Sequence, residues 1–442
     1  MIMHRQILST LSTWAKSNPR KPLLLRGARQ IGKTFVIQEL AKQFSSFVMI
    51  DFELEPQLKT CFNTLVPNEI IQAISIIKST PIIPGETLLF LDEIQDCPNA
   101  IQALRYFKEK LPALHVIAAG SLLEFALHSE EISMPVGRIE YLYMTPCSFD
   151  EYLQNSGQEQ ARDLLNQATL RNPPSQAVHK YLLSLFQKFV ITGGMPEALN
   201  AWIDTGDWLT VQRAQNSLLQ TYRDDFGKYA TFAEQVYLQT VYDKVPSMIG
   251  TQITYSKIDP DAKSRDLKRA ITLLEYAGLV KHIYATTASG LPLSATMNEK
   301  KFKLHFLDSG LVQRKTGISP LTLLQEDFSQ INQGALAEQV VAQELLTYQD
   351  PFVPQELFFW ARDAKNAQAE VDFILNIDSK IIPIEVKSSA TGKLKSLLLL
   401  MQERNLSIGI KISTAPLGQD GAVVNIPFYM IKQLVTQLGQ LI

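Results

Sequence analysis

Gly27-Ala28-Arg29-Gln30-Ile31-Gly32-Lys33-Thr34 satisfies the phosphate-loop pattern G-x-x-x-x-G-K-[ST] at every constrained position. The apolar run Pro22-Leu23-Leu24-Leu25 before it predicts a buried strand, and Thr34 to Gln43 after it predicts a helix, which is the setting the pattern requires. Glycines at 27 and 32 allow backbone conformations closed to residues with a Cβ, so that the amides of Gly27, Ala28, Arg29, Gln30, Ile31, Gly32, Lys33 and Thr34 can wrap phosphate oxygens at a helix start. Lys33 then reaches the β- and γ-phosphates, and the Thr34 hydroxyl is placed for Mg²⁺.

A second apolar strand, Thr87-Leu88-Leu89-Phe90-Leu91, runs into Asp92-Glu93. Neighbouring side chains on a strand face opposite ways, so at its end Asp92 can hold the Mg²⁺ shell while Glu93 orients and deprotonates a water. Together the two motifs predict an ATPase that uses ATP and Mg²⁺. A third strand, Leu114 to Ala119, ends in Gly120-Ser121. ATPases of the AAA type place a polar sensor of the γ-phosphate there, although a serine capping a helix over Leu122 to His128 explains the residue equally well. Arg138, in Pro135-Val136-Gly137-Arg138, is the candidate arginine finger for a neighbouring subunit, with a solvated arginine as its rival.

The chain has 442 residues, 46% of them hydrophobic, which calls for two to four domains. A net charge of −2 gives no global attraction to nucleic acid, so any basic surface has to be local. Cys61, Cys97 and Cys147 are too widely spaced for a zinc knuckle and odd in number, which suits reduced packing thiols. No window is apolar for about 18 residues, so the expectation is a cytoplasmic protein with no membrane segment.

Strand and helix patterns alternate over residues 1–160, predicting an α/β ATPase core with a mostly parallel sheet. Breaks at Gln154 to Gln158 and Asn172 to Ser175 place a boundary there, followed by a helical and winged-helix region over 175–320 and a C-terminal α/β domain over 325–442. Between Tyr255 and Lys315 eleven lysines or arginines stand against six acids. A helix from Ser264 and two strands, Val280 to Ala285 and Lys303 to Leu307, would make the winged helix. Lys263, Arg265, Lys268 and Arg269 would contact DNA phosphates or bases, with a solvated basic face or a protein-docking module as the alternatives.

In the last third, Glu338 falls in a helix from Gly334 to Leu346, and Glu370-Val371-Asp372 and Ile384-Glu385-Val386-Lys387 fall on strands. Glu385 and Lys387 share one strand face, where Asp372 can join them. Such a set would hold Mg²⁺ through Glu338, Asp372 and Glu385, with Lys387 positioning water for phosphodiester attack. A salt-bridge set on a half-buried sheet fits the same spacing. Phe358, Phe359 and Trp360 nearby suit a core better than base stacking.

The chain as a whole resembles a prokaryotic family of AAA-type ATPases in which a P-loop domain precedes a winged-helix region and a PD-(D/E)xK nuclease-like domain. The similarity rests on the phosphate loop, Leu91-Asp92-Glu93-Ile94-Gln95, Gly120-Ser121-Leu122-Leu123, Pro135-Val136-Gly137-Arg138, Gly193-Gly194-Met195-Pro196, Leu307-Asp308-Ser309-Gly310-Leu311, and the Glu370 and Ile384 motifs. It implies Mg²⁺ dependence, a homo-oligomer such as a hexameric ring, and a nuclease fold. Two departures stand out: Val371 replaces the proline before the motif aspartate, and Ala369 stands where a glycine is usual. The functional expectation is an ATP-driven machine acting on DNA, branched DNA included. The alternatives are a nucleotide-controlled switch for a protein partner and a DNA-binding protein with a silent nuclease fold.

Overall fold

A computed structural model describes residues 3–128, 137–325, 333–362, 369–389 and 392–441, so Pro135 and Val136 lie outside the described residues. The first sheet contains β1 (Leu23–Arg26), β2 (Ser46–Asp51), β3 (Thr87–Asp92), β4 (His115–Ala119) and β5 (Glu140–Tyr143). All pairings are parallel, in the order β2-β3-β4-β1-β5. Its central strands are apolar at consecutive positions because both faces are covered. Leu23, Leu25, Leu88 and Phe90 pack into a core on one face, whereas Leu24, Leu89 and Leu91 enter a separate core on the other. Period-two alternation thus divides single strands between two hydrophobic clusters.

The first of these cores does not stop at the ATPase sheet. It continues through the helices Phe149–Asn155, Gln176–Thr192, Pro196–Thr205, Trp208–Asp224 and Phe232–Met248 to the C-terminal strands, so ATPase and C-terminal parts share one apolar interior.

The second sheet has eight strands: β6 (Val280–Thr286), β7 (Met297–Phe306), β8 (Leu357–Ala361), β9 (Glu370–Ile377), β10 (Lys380–Val386), β11 (Gly409–Ser413), β12 (Gly418–Asp420) and β13 (Val423–Pro427). Their order is β12-β13-β11-β10-β9-β8-β6-β7. This corrects the expectation of a winged helix standing apart from the C-terminal domain. The hairpin β6–β7 exists, but β6 pairs in parallel with β8, Ile283 opposite Leu357 and Thr286 opposite Trp360. An isolated two-stranded hairpin is marginal in water, and pairing satisfies the free backbone edge of β6. Phe358, Phe359 and Trp360 are buried core residues of β8. The three cysteines are free and buried. Among the described residues, no helix is long and apolar enough to cross a membrane.

Candidate nucleotide site and its surroundings

Strand β1 delivers the phosphate loop to the helix Lys33–Ala41. Gly27 and Gly32 have φ of +143° and +91°, and a Cβ on Gly27 would meet the Met144 carbonyl, so the loop requires glycine at both points. Lys33 is 8% exposed and donates to the carbonyls of Gly27 at 2.8 Å and Ala28 at 2.9 Å. Burial lowers its pKa to about 8, against the opposing pull of Glu93 and Asp92. Thr34 Oγ1 donates to Asp92 Oδ2 at 2.7 Å, which brings together the two side chains expected at Mg²⁺. The residues fit a Mg²⁺–nucleotide: a glycine cradle, a buried ammonium, and a hydroxyl touching a carboxylate.

Glu93 sits at φ +47°, immediately past β3. Its Oε2 accepts from Ser121 N at 2.9 Å, Ser121 Oγ at 3.0 Å and Gln95 Nε2 at 2.6 Å. Burial alone would raise this carboxyl's pKa, but the three donors outweigh it and hold the group below its ordinary value. Asp92 goes the other way, raised by burial in spite of the Thr34 hydroxyl. Ser121 caps no helix: the helix after it is Leu123–Leu127, with Leu122 at the cap position. Its side chain faces Glu93.

Arg138 lies half-exposed beside the first sheet, where its Nε meets Glu109 Oε1 at 3.0 Å, an acid shared with Arg105.

Several residues that the motifs did not flag clamp the phosphate loop. Arg5, 3% exposed, donates to the carbonyls of Ile31 at 2.6 Å and Thr145 at 2.7 Å and pairs with Glu151 at 3.1 Å. Arg29 pairs with Asp225, which follows the helix Trp208–Asp224, and Tyr222 Oη donates to the Arg29 carbonyl at 2.9 Å. Gly278, φ +73°, lies so near the loop that a Cβ would fall 3.1 Å from the Ala28 Cβ.

Gly278 matters because it follows the helix Ser264–Tyr276. That helix buries Leu267, Ala270, Ile271, Leu273 and Leu274 and leaves Lys263, Arg265, Lys268 and Arg269 exposed on and beside it. Arg265 pairs with Asp266 at 3.1 Å and Arg269 with Glu234 at 3.4 Å. The Gly193 and Leu307 motifs also meet nearby. Asp308 accepts from Gly194 N at 2.6 Å and Leu311 N at 3.1 Å, while Gly194 O accepts from Cys147 N at 2.7 Å. Burial pushes the Asp308 pKa up to about 6, in spite of these donors.

In the second sheet, Asp372 on β9 accepts from Val386 N at 2.8 Å, and Lys387 Nζ donates to Glu385 Oε1 at 2.5 Å. Glu338 comes in from the helix Gln333–Thr347. The expected acids are therefore neighbours, with one difference: the ammonium of Lys303, from β7, lies among them. Burial raises Glu338 to about 8 and Glu385 to about 7, with Asp372 adding to each. Glu385 Oε2 is buried without a hydrogen-bond partner. As the side chains stand, with Lys303 between them, no group of three or more His, Cys, Asp or Glu among the described residues forms a site that could hold a metal ion.

A family model described as an AAA domain matches residues 19–153. The first sheet and its loops form the core of an AAA-type P-loop ATPase. Two further models, each described as a domain of unknown function (DUF8612 and DUF4143), match 183–322 and 333–429. Their boundary separates the hairpin β6–β7 from the strands with which it forms one sheet. A search of curated proteins found no match. Among solved structures, a Walker-type ATPase of Pyrococcus abyssi aligns with a TM-score of 0.46 and 14% identity, over 71% of this chain and 96% of that one. The ORC2 protein of Aeropyrum pernix in ADPNP–ADP complexes aligns at 0.40 and 14%, over 73% and 93%. The ORC1 protein of the same organism, in complex with DNA, aligns at 0.30 and 13%, over 73% and 91%.

Proposed function

We propose that this AAA-type ATPase uses Mg²⁺ and ATP hydrolysis to move on or remodel DNA, branched DNA included, as a homo-oligomer such as a hexameric ring. In the site, the amides after Gly27 and the Lys33 ammonium hold the β- and γ-phosphates, and Thr34 and Asp92 hold Mg²⁺, which when bound neutralises phosphate charge. Glu93 takes a proton from the attacking water, and Ser121 fixes the carboxylate's position. The phosphoryl group leaves ADP for the water oxygen. In a ring, Arg138 would leave Glu109 and reach the next subunit's nucleotide.

The observation that carries the DNA reading is the contact of Gly278 with Ala28. It connects the phosphate loop to the end of the one helix whose exposed face and start carry Lys263, Arg265, Lys268 and Arg269, so a loop that shifts with nucleotide shifts that basic face. The test is the steady-state ATP hydrolysis rate without DNA and with duplex, single-stranded and four-way-junction DNA, with Glu93→Gln as the blank. Stimulation of about tenfold or more by one form supports the reading and names its substrate class. A flat response in all four conditions, above the blank, sinks it. The other outcome would favour a nucleotide-controlled switch for a protein partner, a reading supported by the ion pairs that already engage Arg265 and Arg269.

A further inference from the structure

Lys303 projects from β7 into the carboxylates of the second sheet. Its Nζ lies 2.6 Å from Glu370 Oε1, 3.1 Å from Glu338 Oε2 and 3.7 Å from Asp372 Oδ1, and its side chain is 2% exposed. We propose that Lys303 is the resident cation of this nuclease-like centre: its ammonium takes the place of a divalent metal, so the domain keeps its carboxylates together without a metal ion and cuts no phosphodiester.

Three observations support this. First, Glu338, Glu370 and Asp372 converge on one point, with Glu385 on the next strand close enough to feel Asp372, and carboxylates gathered in a partly buried site need a cation among them. Lys303 supplies that cation at contact distance to three of the four. Second, Lys303 cannot retreat. Its backbone is held in β7 opposite Ile283 of β6, the helix Gln333–Thr347 packs over β7, and the ammonium lies 5.3 Å from the centre of the Phe359 ring. A metal entering among Glu338, Glu370 and Asp372 would sit against a fixed positive charge, so Mg²⁺ does not fit this arrangement. Third, the network is held from outside by groups that do not depend on a metal: Gln252 donates to Glu370 Oε2 at 2.7 Å, and Val386 N holds Asp372.

Removing the ammonium would reverse the preference. Glu338, Glu370, Asp372 and the unpartnered Oε2 of Glu385 would then present oxygen ligands of the kind hard divalent cations take. The protein would gain a metal site that the native chain lacks.

The experiment is a Mn²⁺ titration of the full chain without nucleotide, read by the electron paramagnetic resonance signal of free Mn²⁺. It compares the native protein, Asp372→Asn, Lys303→Met, and Lys303→Met with Asp372→Asn. Native protein and Asp372→Asn are expected to bind equal amounts, any background at the ATPase site being common to both. Lys303→Met is expected to gain one site at least tenfold tighter than background, lost again in the double variant. If Asp372→Asn removes a site from the native protein, the proposal is overturned, and this comparison holds even where Lys303→Met does not fold. A folded Lys303→Met that binds no more Mn²⁺ than the native protein also overturns it. The readout does not involve ATP turnover, so it stands or falls apart from the reading of the first sheet.

Discussion

Ser121 gives both its backbone N–H and its hydroxyl to a single oxygen of Glu93, at 2.9 and 3.0 Å. The carboxylate proposed as general base is therefore oriented by the end of the neighbouring strand β4. Replacing Glu93 with glutamine should lower turnover by about two to four orders of magnitude while nucleotide still binds. Ser121→Ala removes only the hydroxyl and should cost about tenfold in kcat, with KM little changed. Steady-state kinetics of the two variants, with nucleotide affinity measured separately, checks both; an unchanged kcat in Ser121→Ala would assign the serine no part in turnover.

The Gly278–Ala28 contact leads to a second expectation. Any side chain at 278 is doubly opposed, by φ +73° and by the loop 3.1 Å away. Gly278→Ala should lose about 1–2 kcal/mol of stability and weaken nucleotide binding. Gly206→Ala serves as control, because its φ of +62° carries the same strain with nothing within 4 Å of the added methyl. Fluorescent-nucleotide titrations should separate the two variants, and equal affinities would mean that the loop does not feel residue 278.

Asp308 supports a pH experiment. Its pKa is raised by burial to about 6, whereas an unfolded aspartate titrates near 3.9. The native state thus binds more protons in that window, so the stabilisation is complete below about pH 4 and is lost as pH rises through 6. Groups around it include the amides of Gly194 and Leu311 and the side chains of Gln343 and Cys147. The stability of the native protein minus that of Asp308→Asn should be about 1–2 kcal/mol larger at pH 5 than at pH 8, as measured by urea unfolding.

Arg138 is tested by complementation. As a finger acting in trans, Arg138→Ala should lose about 10³-fold in turnover, and so should Lys33→Ala. Mixing the two should restore activity, because one subunit keeps an intact site and the other an intact arginine. Mixtures no more active than either variant would leave Arg138 as the surface partner of Glu109.

The strand, glycine loop and helix over residues 23–41 were legible because their constraints are local. Gly27, Gly32, Lys33 and Thr34 lie within one loop, and Asp92-Glu93 end a strand whose apolar run announces it. What clamps the loop was not legible, since Arg5, Asp225 and Gly278 come from distant points of the chain and carry no pattern of their own. Lys303 was missed for a different reason. Lys301-Phe302-Lys303-Leu304-His305-Phe306 alternates as a strand with one wet face does, which puts Lys303 and His305 in solvent. Both are buried, because the helix Gln333–Thr347 covers that side. Alternation reports which residues share a face and is silent on what later covers it. The separate standing of the expected winged helix was illegible for a similar reason: helix, strand and strand are all present, but the pairing of β6 with β8 joins residues more than seventy positions apart.

That pairing governs how the chain could be divided. A fragment ending near residue 325 would leave β6 with a bare edge and Lys303 without its counter-charges, while the complementary fragment would open its sheet at β8 and keep Glu338, Glu370 and Asp372 with no cation between them. Each piece would be insoluble for its own reason, and mixing the two should return material to solution, as with two halves of a split reporter.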